Sequence, residues 1–276
     1  MSAPRKSSSR RSEAAEAPPS RSASDEGGSA LVQYLLRLAD DRLVLGHRLS
    51  EWCGHGPILE EDIALANIAL DLIGEATLLL KLAGSVEGAG RSEDALAYFR
   101  DAIDYRNAMM VELPNGDFAF TIVRQFFFSV YSLIQMDALT LSENAELAGI
   151  AAKAVKESRY HVRHAAQWVV TLGDGTEESH RRAQAAVDDL WRYTGELFIT
   201  DSIDREVVEA KVGVDPSTLA EAWRTQVEDV LKQATLTVPT AGYMQRGGRD
   251  GRHTEHLGHL LSEMQIVARS HPGASW

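Results

Sequence analysis

Apolar residues recur at three- and four-residue intervals along almost the whole chain, and strand-like alternation nowhere persists. Leu31, Leu35, Leu38, Leu45 and Leu49 mark one face of a helix predicted over about residues 29–52. Gly54-His55-Gly56-Pro57 breaks it. Pro57 suits the first position of a second helix, whose Glu60, Glu61 and Asp62 match the positive end of the helix dipole. That helix is predicted to reach Leu82 and stop at Gly84, with a third through Ala95 to Val111. After the turn signal Pro114-Asn115-Gly116 comes the most apolar helix, about residues 117–141. Its Ile122, Val123, Phe126, Phe127, Phe128, Val130, Tyr131, Leu133 and Ile134 cover nearly every direction, which predicts burial on all sides. A fifth helix spans about 144–172 and ends at Gly173-Asp174-Gly175; Thr176 caps a sixth to about 198. Asp215-Pro216 opens a seventh, about 217–234, and a last helix runs from His253 to about Arg269. No fixed-period repeat is visible.

Residues 1–28 are rich in Ser, Arg, Ala, Glu and Pro and read as a disordered tail, leaving residues 29–276 as one helical domain. The expected fold class is all-α, with a four-helix core and additional helices.

Among 276 residues the net charge of −12 argues against a broadly basic, nucleic-acid-binding surface. Cys53 is the single cysteine, so no internal disulfide, cysteine zinc site or iron–sulfur cluster forms within one chain. No uninterrupted run approaches the roughly 20 apolar residues of a membrane helix, so no membrane partner is expected. Arg5, Lys6, Arg10 and Arg11 are followed by no apolar stretch, which argues against a secretory signal. An organellar transit peptide stays open, with Glu13, Glu16 and Pro18-Pro19 weighing against it. A cytoplasmic location is expected.

Polar residues inside apolar helices carry the chemistry. Asn67, Asp71 and Glu75 stand four apart in an otherwise apolar stretch. His47 and Glu51 are four apart on the first helix. Gln125, Ser129 and Ser132 share a face of the fourth, and Glu157, His161 and His164 a face of the fifth. Four long helices with such stripes are the ground plan of a ferritin-like di-metal carboxylate protein, which needs a Glu from each of two helices and Glu-x-x-His from each of the others. The one literal Glu-x-x-His, Glu177/His180, lies in a helix first turn, where the dipole explains Glu177. Asp250/His253 crosses a Gly-rich loop. Mid-helix candidates fail: Gly74 follows Asp71 by three, Tyr160 follows Glu157 by three, and Ser158 precedes His161 by three. An intact di-iron site is therefore not expected. His253, Glu255, His256 and His259 could hold a single metal or form plain surface, and they cannot all share one face.

There is no Walker loop, no dinucleotide-binding glycine motif and no Gly-x-Ser-x-Gly. Cys53 beside His55 reads as a half-buried structural thiol ahead of a catalytic dyad. Arg246, Arg249 and Arg252, in a Gly-rich loop, suit either a phosphorylated or carboxylate ligand or a bare surface loop.

Several segments, in order, carry a resemblance: Arg42-Leu43-Val44-Leu45, Leu49-Ser50-Glu51-Trp52-Cys53-Gly54-His55, Asp62 to Leu72, Pro114-Asn115-Gly116-Asp117-Phe118, Ala154 to His161, Leu190-Trp191-Arg192-Tyr193 and His253 to Gly258. From about Leu31 to Trp276 the chain resembles the C subunits of bacterial ring 1,2-phenylacetyl-CoA epoxidases. The resemblance implies a ferritin-like fold and a place in a complex that epoxidises phenylacetyl-CoA with O2 and NADPH-derived electrons. In that complex a homologous A subunit holds the di-iron centre. The C subunit packs on it, carries no cofactor of its own and is not itself catalytic; other subunits of the complex are further partners. By the same resemblance Glu51, Asp71, Gln125, Ser158 and His161 stand at degenerate ligand positions, with Gly74 where the first motif would place its His. The rival readings are an autonomous di-metal oxidase and an acyl-CoA-binding module working through the Arg246–Arg252 loop.

Overall fold

Helix α1 (Ala23–Ser50) packs along its length on α2 (Leu59–Glu87), and α5 (Phe118–Leu139) packs likewise on α6 (Ala145–Gly173). Contact between α2 and α6 joins these two pairs into a four-helix core. Short helices α3 (Glu93–Tyr98) and α4 (Met109–Glu112) lie between the pairs in sequence. Helix α7 (Glu177–Thr194) covers α5 and α6, α8 (Ser202–Glu209) lies on α1, α9 (Ala220–Gln233) crosses α5 and α6, and α10 (Glu255–Ser270) packs on α3 and α4. The computed structural model describes residues 23–240 and 242–274, with side chains from Ala30 onward. Among them there is no strand, in agreement with the all-α expectation.

Local chemistry starts most of these helices. Ser92, Asp117, Asn144 and Thr176 each accept a backbone N–H from the third residue on. Each such cap is worth about 1 kcal/mol. Helix α5 is enclosed on nearly every side, as its sequence predicts. Phe127 holds α7 and α9 against it: its ring lies 5.8 Å from Trp191 and 5.7 Å from Trp223. Trp223 Nε1 donates to the Phe127 carbonyl at 2.9 Å, so the buried indole is also satisfied.

The structure departs from the sequence reading in several places. Helix α1 begins at Ala23, inside the predicted tail, since extending a packed helix backward needs no new nucleus. The rest of the predicted tail, residues 1–22, lies outside the described residues. Helix α2 runs past Gly84 to a left-handed cap at Gly88 (φ 69°). Gly84 answers to close packing instead, because a Cβ there would sit 2.2 Å from the Arg91 carbonyl oxygen. The predicted helix through Val111 breaks after Tyr98. There Asp40 of α1 accepts the Arg106 N–H at 2.8 Å and Asp41 accepts the Ala108 N–H at 2.7 Å. Buried carboxylates thus capture backbone donors that a helix would keep for itself. Helix α8 answers to no predicted element. Cys53 is exposed, not half-buried, because it sits in the turn after α1.

Among the described residues two helices are long and apolar enough on average to cross a bilayer, although neither contains an uninterrupted apolar run of that length. The apolar window of α5 is 78% buried, as a core helix should be, whereas that of α2 is 50% buried.

Buried polar residues of α1 fasten the later segments. Arg37 pairs with Asp201 and Asp204, Asp40 with Arg100, and Asp41 with Arg249. Glu196 accepts backbone N–H groups from Met109, Gly247 and Gly248 at 2.7–2.8 Å. A Cβ on Gly248 would lie 2.1 Å from the Asn107 oxygen, whereas one on Gly258 of α10 would meet nothing within 4 Å. Gly248→Val is therefore expected to lose about 3 kcal/mol by overpacking. Gly258→Ala should be neutral or gain up to about 1 kcal/mol. Urea denaturation of the two variants checks both.

Candidate functional site

The four core helices send polar side chains into one interior layer. Arg42 of α1 is fully buried. Its Nε donates to Glu75 Oε2 of α2 at 2.7 Å, and its Nη2 to Ser132 Oγ of α5 at 3.0 Å. Nη1 donates to the Leu38 carbonyl at 2.8 Å. Ser132 lies 3.4 Å from the Ser158 hydroxyl of α6. One guanidinium thus touches α1, α2 and α5 directly and reaches α6 through a pair of hydroxyls.

The layer is rich in acid. Burial raises the pKa of Glu75, Arg42 pulls it down, and the charge of Glu157 on α6 pushes it up again. Glu75 Oε1 and Glu157 Oε2 are both buried without a hydrogen-bond partner. The other Glu157 oxygen meets Lys153 at 3.1 Å. Nearer the surface, Asp71 and His161 Nε2 are 3.0 Å apart, and Glu61 and His164 Nε2 are 2.8 Å apart. Both pairs tie α2 to α6. Tyr160 stacks on His164 with ring centroids 6.0 Å apart.

Asn67, Asp71 and Glu75 do not share one environment: Asn67 is exposed, Asp71 half-buried and Glu75 buried. At 3.6 residues per turn a four-residue step overshoots a full turn by roughly 40°. The row therefore winds from the outer face into the core. Glu75, not Asp71, is the α2 carboxylate that reaches the bundle centre.

Of the degenerate ligand positions, Asp71 and His161 meet directly, and Ser158 is tied in through Ser132. Gln125 is buried on α5, but its Nε2 donates to Ser129 one turn on and its Oε1 has no partner. Glu51 stands apart. Helix α1 ends at Ser50, and Glu51 accepts from Arg48 at 2.7 Å and Asn115 at 3.0 Å in the exposed turn beyond. A Cβ on Gly74 would meet nothing within 4 Å. The residues present therefore do not fit a di-metal centre. The α2 carboxylate is engaged by a cation, no mid-helix Glu-x-x-His exists, and the α1 position nearest the centre is an arginine.

The other candidates resolve similarly. Among the described residues no three His, Cys, Asp or Glu side chains stand close enough together to hold a metal ion. His253 is engaged by Glu112 at 2.7 Å and by the Tyr105 carbonyl at 3.0 Å. His180 Nδ1 bonds the Gly173 carbonyl at 2.7 Å. In the Arg246–Arg252 loop, Arg249 spends its donors on Asp41 and on the Arg106 carbonyl, and Arg252 pairs with Asp250. Arg249 is thus fastened inward, while Arg252 stays exposed.

A family model described as phenylacetic acid catabolic protein matches residues 7–276. The chain belongs to that family. The C subunit of 1,2-phenylacetyl-CoA epoxidase from Escherichia coli (strain K12) is 47% identical over 246 residues, 89% of this chain and 99% of that protein. The resemblance read from the ordered segments is borne out. Within this family member, Glu75, Ser132 and Glu157 come from the polar stripes, and Arg42 is the central residue that the stripes do not single out. The signal for Arg42 was present: it fills the gap in the apolar row between Leu38 and Leu45.

Proposed function

We propose that this chain is a non-catalytic, structural subunit of a phenylacetyl-CoA epoxidase. It binds and stabilises a di-iron A-type subunit that carries out the ring chemistry in the cytoplasm, and it holds no cofactor itself. The observation that carries the reading is the Arg42–Glu75 pair at the bundle centre. It leaves no ligand set there, so what the chain contributes to such a complex is its surface. The near full-length identity with a protein named as the C subunit of that epoxidase supports the same role.

The surface best suited to a partner is the outer face of α2. Leu59, Ile63 and Leu70 are 71%, 53% and 67% exposed, with Leu78 further along and Tyr160 beside them on α6. Scattered exposed leucines need no explanation, but a row along one helix marks an interaction site. An obligate interface buries more than about 2,000 Å2 in total, and a helix of this length offers a fitting core for one.

The test is co-elution of this chain with an A-type subunit on a sizing column. Wild type is expected to co-elute. Ile63→Asp/Leu70→Asp is expected to keep its melting temperature, because both sites are exposed, and to lose co-elution. A wild-type chain that ignores the A-type subunit sinks the subunit reading. A double variant that still associates moves the interface off α2.

A further inference from the structure

We propose that the cavity between α7 and α9 binds a small, uncharged aromatic molecule, which accepts a hydrogen bond from the indole N–H of Trp191. The cavity has a volume of about 400 Å3 and a mostly apolar lining. Its walls include Trp191 of α7, Phe198 just beyond that helix, Trp223 of α9 and Met244 from the loop that follows. Small-molecule sites are clefts of this size, apolar with a few placed polar groups. Aromatic rings and a polarizable thioether favour an aromatic guest.

The walls are held by the protein's own bonds. The Phe127 ring lies against both indoles, and Trp223 Nε1 donates to the Phe127 carbonyl at 2.9 Å. Thr194 Oγ1 donates to the Trp191 carbonyl at 2.8 Å. The Gln245 N–H donates to the Arg192 carbonyl at 2.7 Å and so fastens the segment that carries Met244 to α7. The two charged residues of the lining, Glu221 and Arg224, are exposed, and Arg224 pairs with Glu228 at 2.7 Å. With no buried charge in the lining, a charged guest would leave water without a counter-charge. One donor is unspent. Trp191 is 5% exposed, and its Nε1 donates to nothing among the described residues, whereas the Nε1 of Trp52 donates to Thr121 Oγ1 at 3.0 Å. A buried indole ordinarily finds an acceptor, and an oxygen on the guest supplies it here.

Acetophenone, with a single carbonyl, is the probe. Its near-isostere α-methylstyrene, which lacks the oxygen, is the control. Both are titrated into the full-length chain by calorimetry. Wild type is expected to bind acetophenone saturably and about tenfold more tightly than α-methylstyrene, the worth of one hydrogen bond. Trp191→Phe keeps a ring in the wall and removes the donor, and that preference is expected to vanish. Ala220→Leu, at a half-buried position of the lining, is expected to keep the wild-type melting temperature and to lose both probes by filling the cavity. Benzoate, similar in size but anionic, is expected not to bind. The proposal is overturned if wild type does not bind acetophenone, if Ala220→Leu binds it as wild type does, if Trp191→Phe retains the preference, or if benzoate binds as tightly.

Discussion

Glu75→Ala is expected to destabilise the chain by about 3–5 kcal/mol, the range for removing one partner of a buried ion pair. Arg42 is fully buried, and Glu75 is the only carboxylate that it contacts among the described residues. Its remaining bonds go to a serine hydroxyl and a carbonyl, which leave the charge uncompensated. The loss exceeds what deleting a neutral hydrogen bond would give, about 1 kcal/mol. For a folded unit of this size it amounts to a fall of about 10 °C in melting temperature. Arg42→Met/Glu75→Leu is expected to regain most of that loss, since well-packed apolar pairs of similar volume often match or exceed a buried ion pair. Urea denaturation of the three proteins measures both steps. A Glu75→Ala chain within 1 kcal/mol of wild type, on the order of an exposed pair, would show that the guanidinium is solvated.

Glu112→Gln is expected to lower stability by about 3 kcal/mol and to flatten its dependence on pH. Glu112 is fully buried and accepts from Asn107 Nδ2 at 2.8 Å, His253 Nδ1 at 2.7 Å and the Thr254 N–H at 2.5 Å. The other His253 nitrogen meets the Tyr105 carbonyl at 3.0 Å. Both ring nitrogens face acceptors, which favours the doubly protonated ring. Burial opposes that charge, but the hydrogen bond and charge of Glu112, with help from the Tyr105 carbonyl, outweigh it and hold the His253 pKa above its ordinary 6.5. A raised folded pKa sets the sign. The contribution is complete below the unfolded value and is lost as pH rises through the folded one. Wild-type melting temperature should therefore carry a decline above neutrality that Glu112→Gln lacks. Thermal melts of both proteins from mildly acidic to mildly alkaline pH provide the comparison. Parallel profiles would remove His253 from the explanation.

The fate of the polar stripes shows how far motif spacing reaches into such a bundle. The absence of a mid-helix Glu-x-x-His was legible, because that motif is a spacing within one helix. So was the burial of Gln125, Ser129 and Ser132, which lie on the most apolar helix of the chain. Along that row Asp71 is half-buried while Glu75, one turn on, reaches the centre, because a four-residue row drifts around a helix. Glu51 was placed with the site by resemblance, yet its helix ends one residue before it. Arg249 looked free because Asp41 is too distant in sequence to suggest itself as its partner.

Helix periodicity, caps at Ser92, Asp117, Asn144 and Thr176, and breakers such as Pro57 and Pro114 are properties of neighbouring residues. The all-α architecture and most helix boundaries follow from them, as does the family pattern that the ordered segments preserve. Partners far along the chain settled the rest. Asp40 and Asp41 unwind the stretch after Tyr98 by capturing its backbone N–H groups, and Arg42 closes the bundle centre by pairing with Glu75. A charge is stable in the interior of a protein only with a counter-charge or hydrogen-bonding groups around it. Which residue supplies them depends on how distant helices come together, and no local pattern records that.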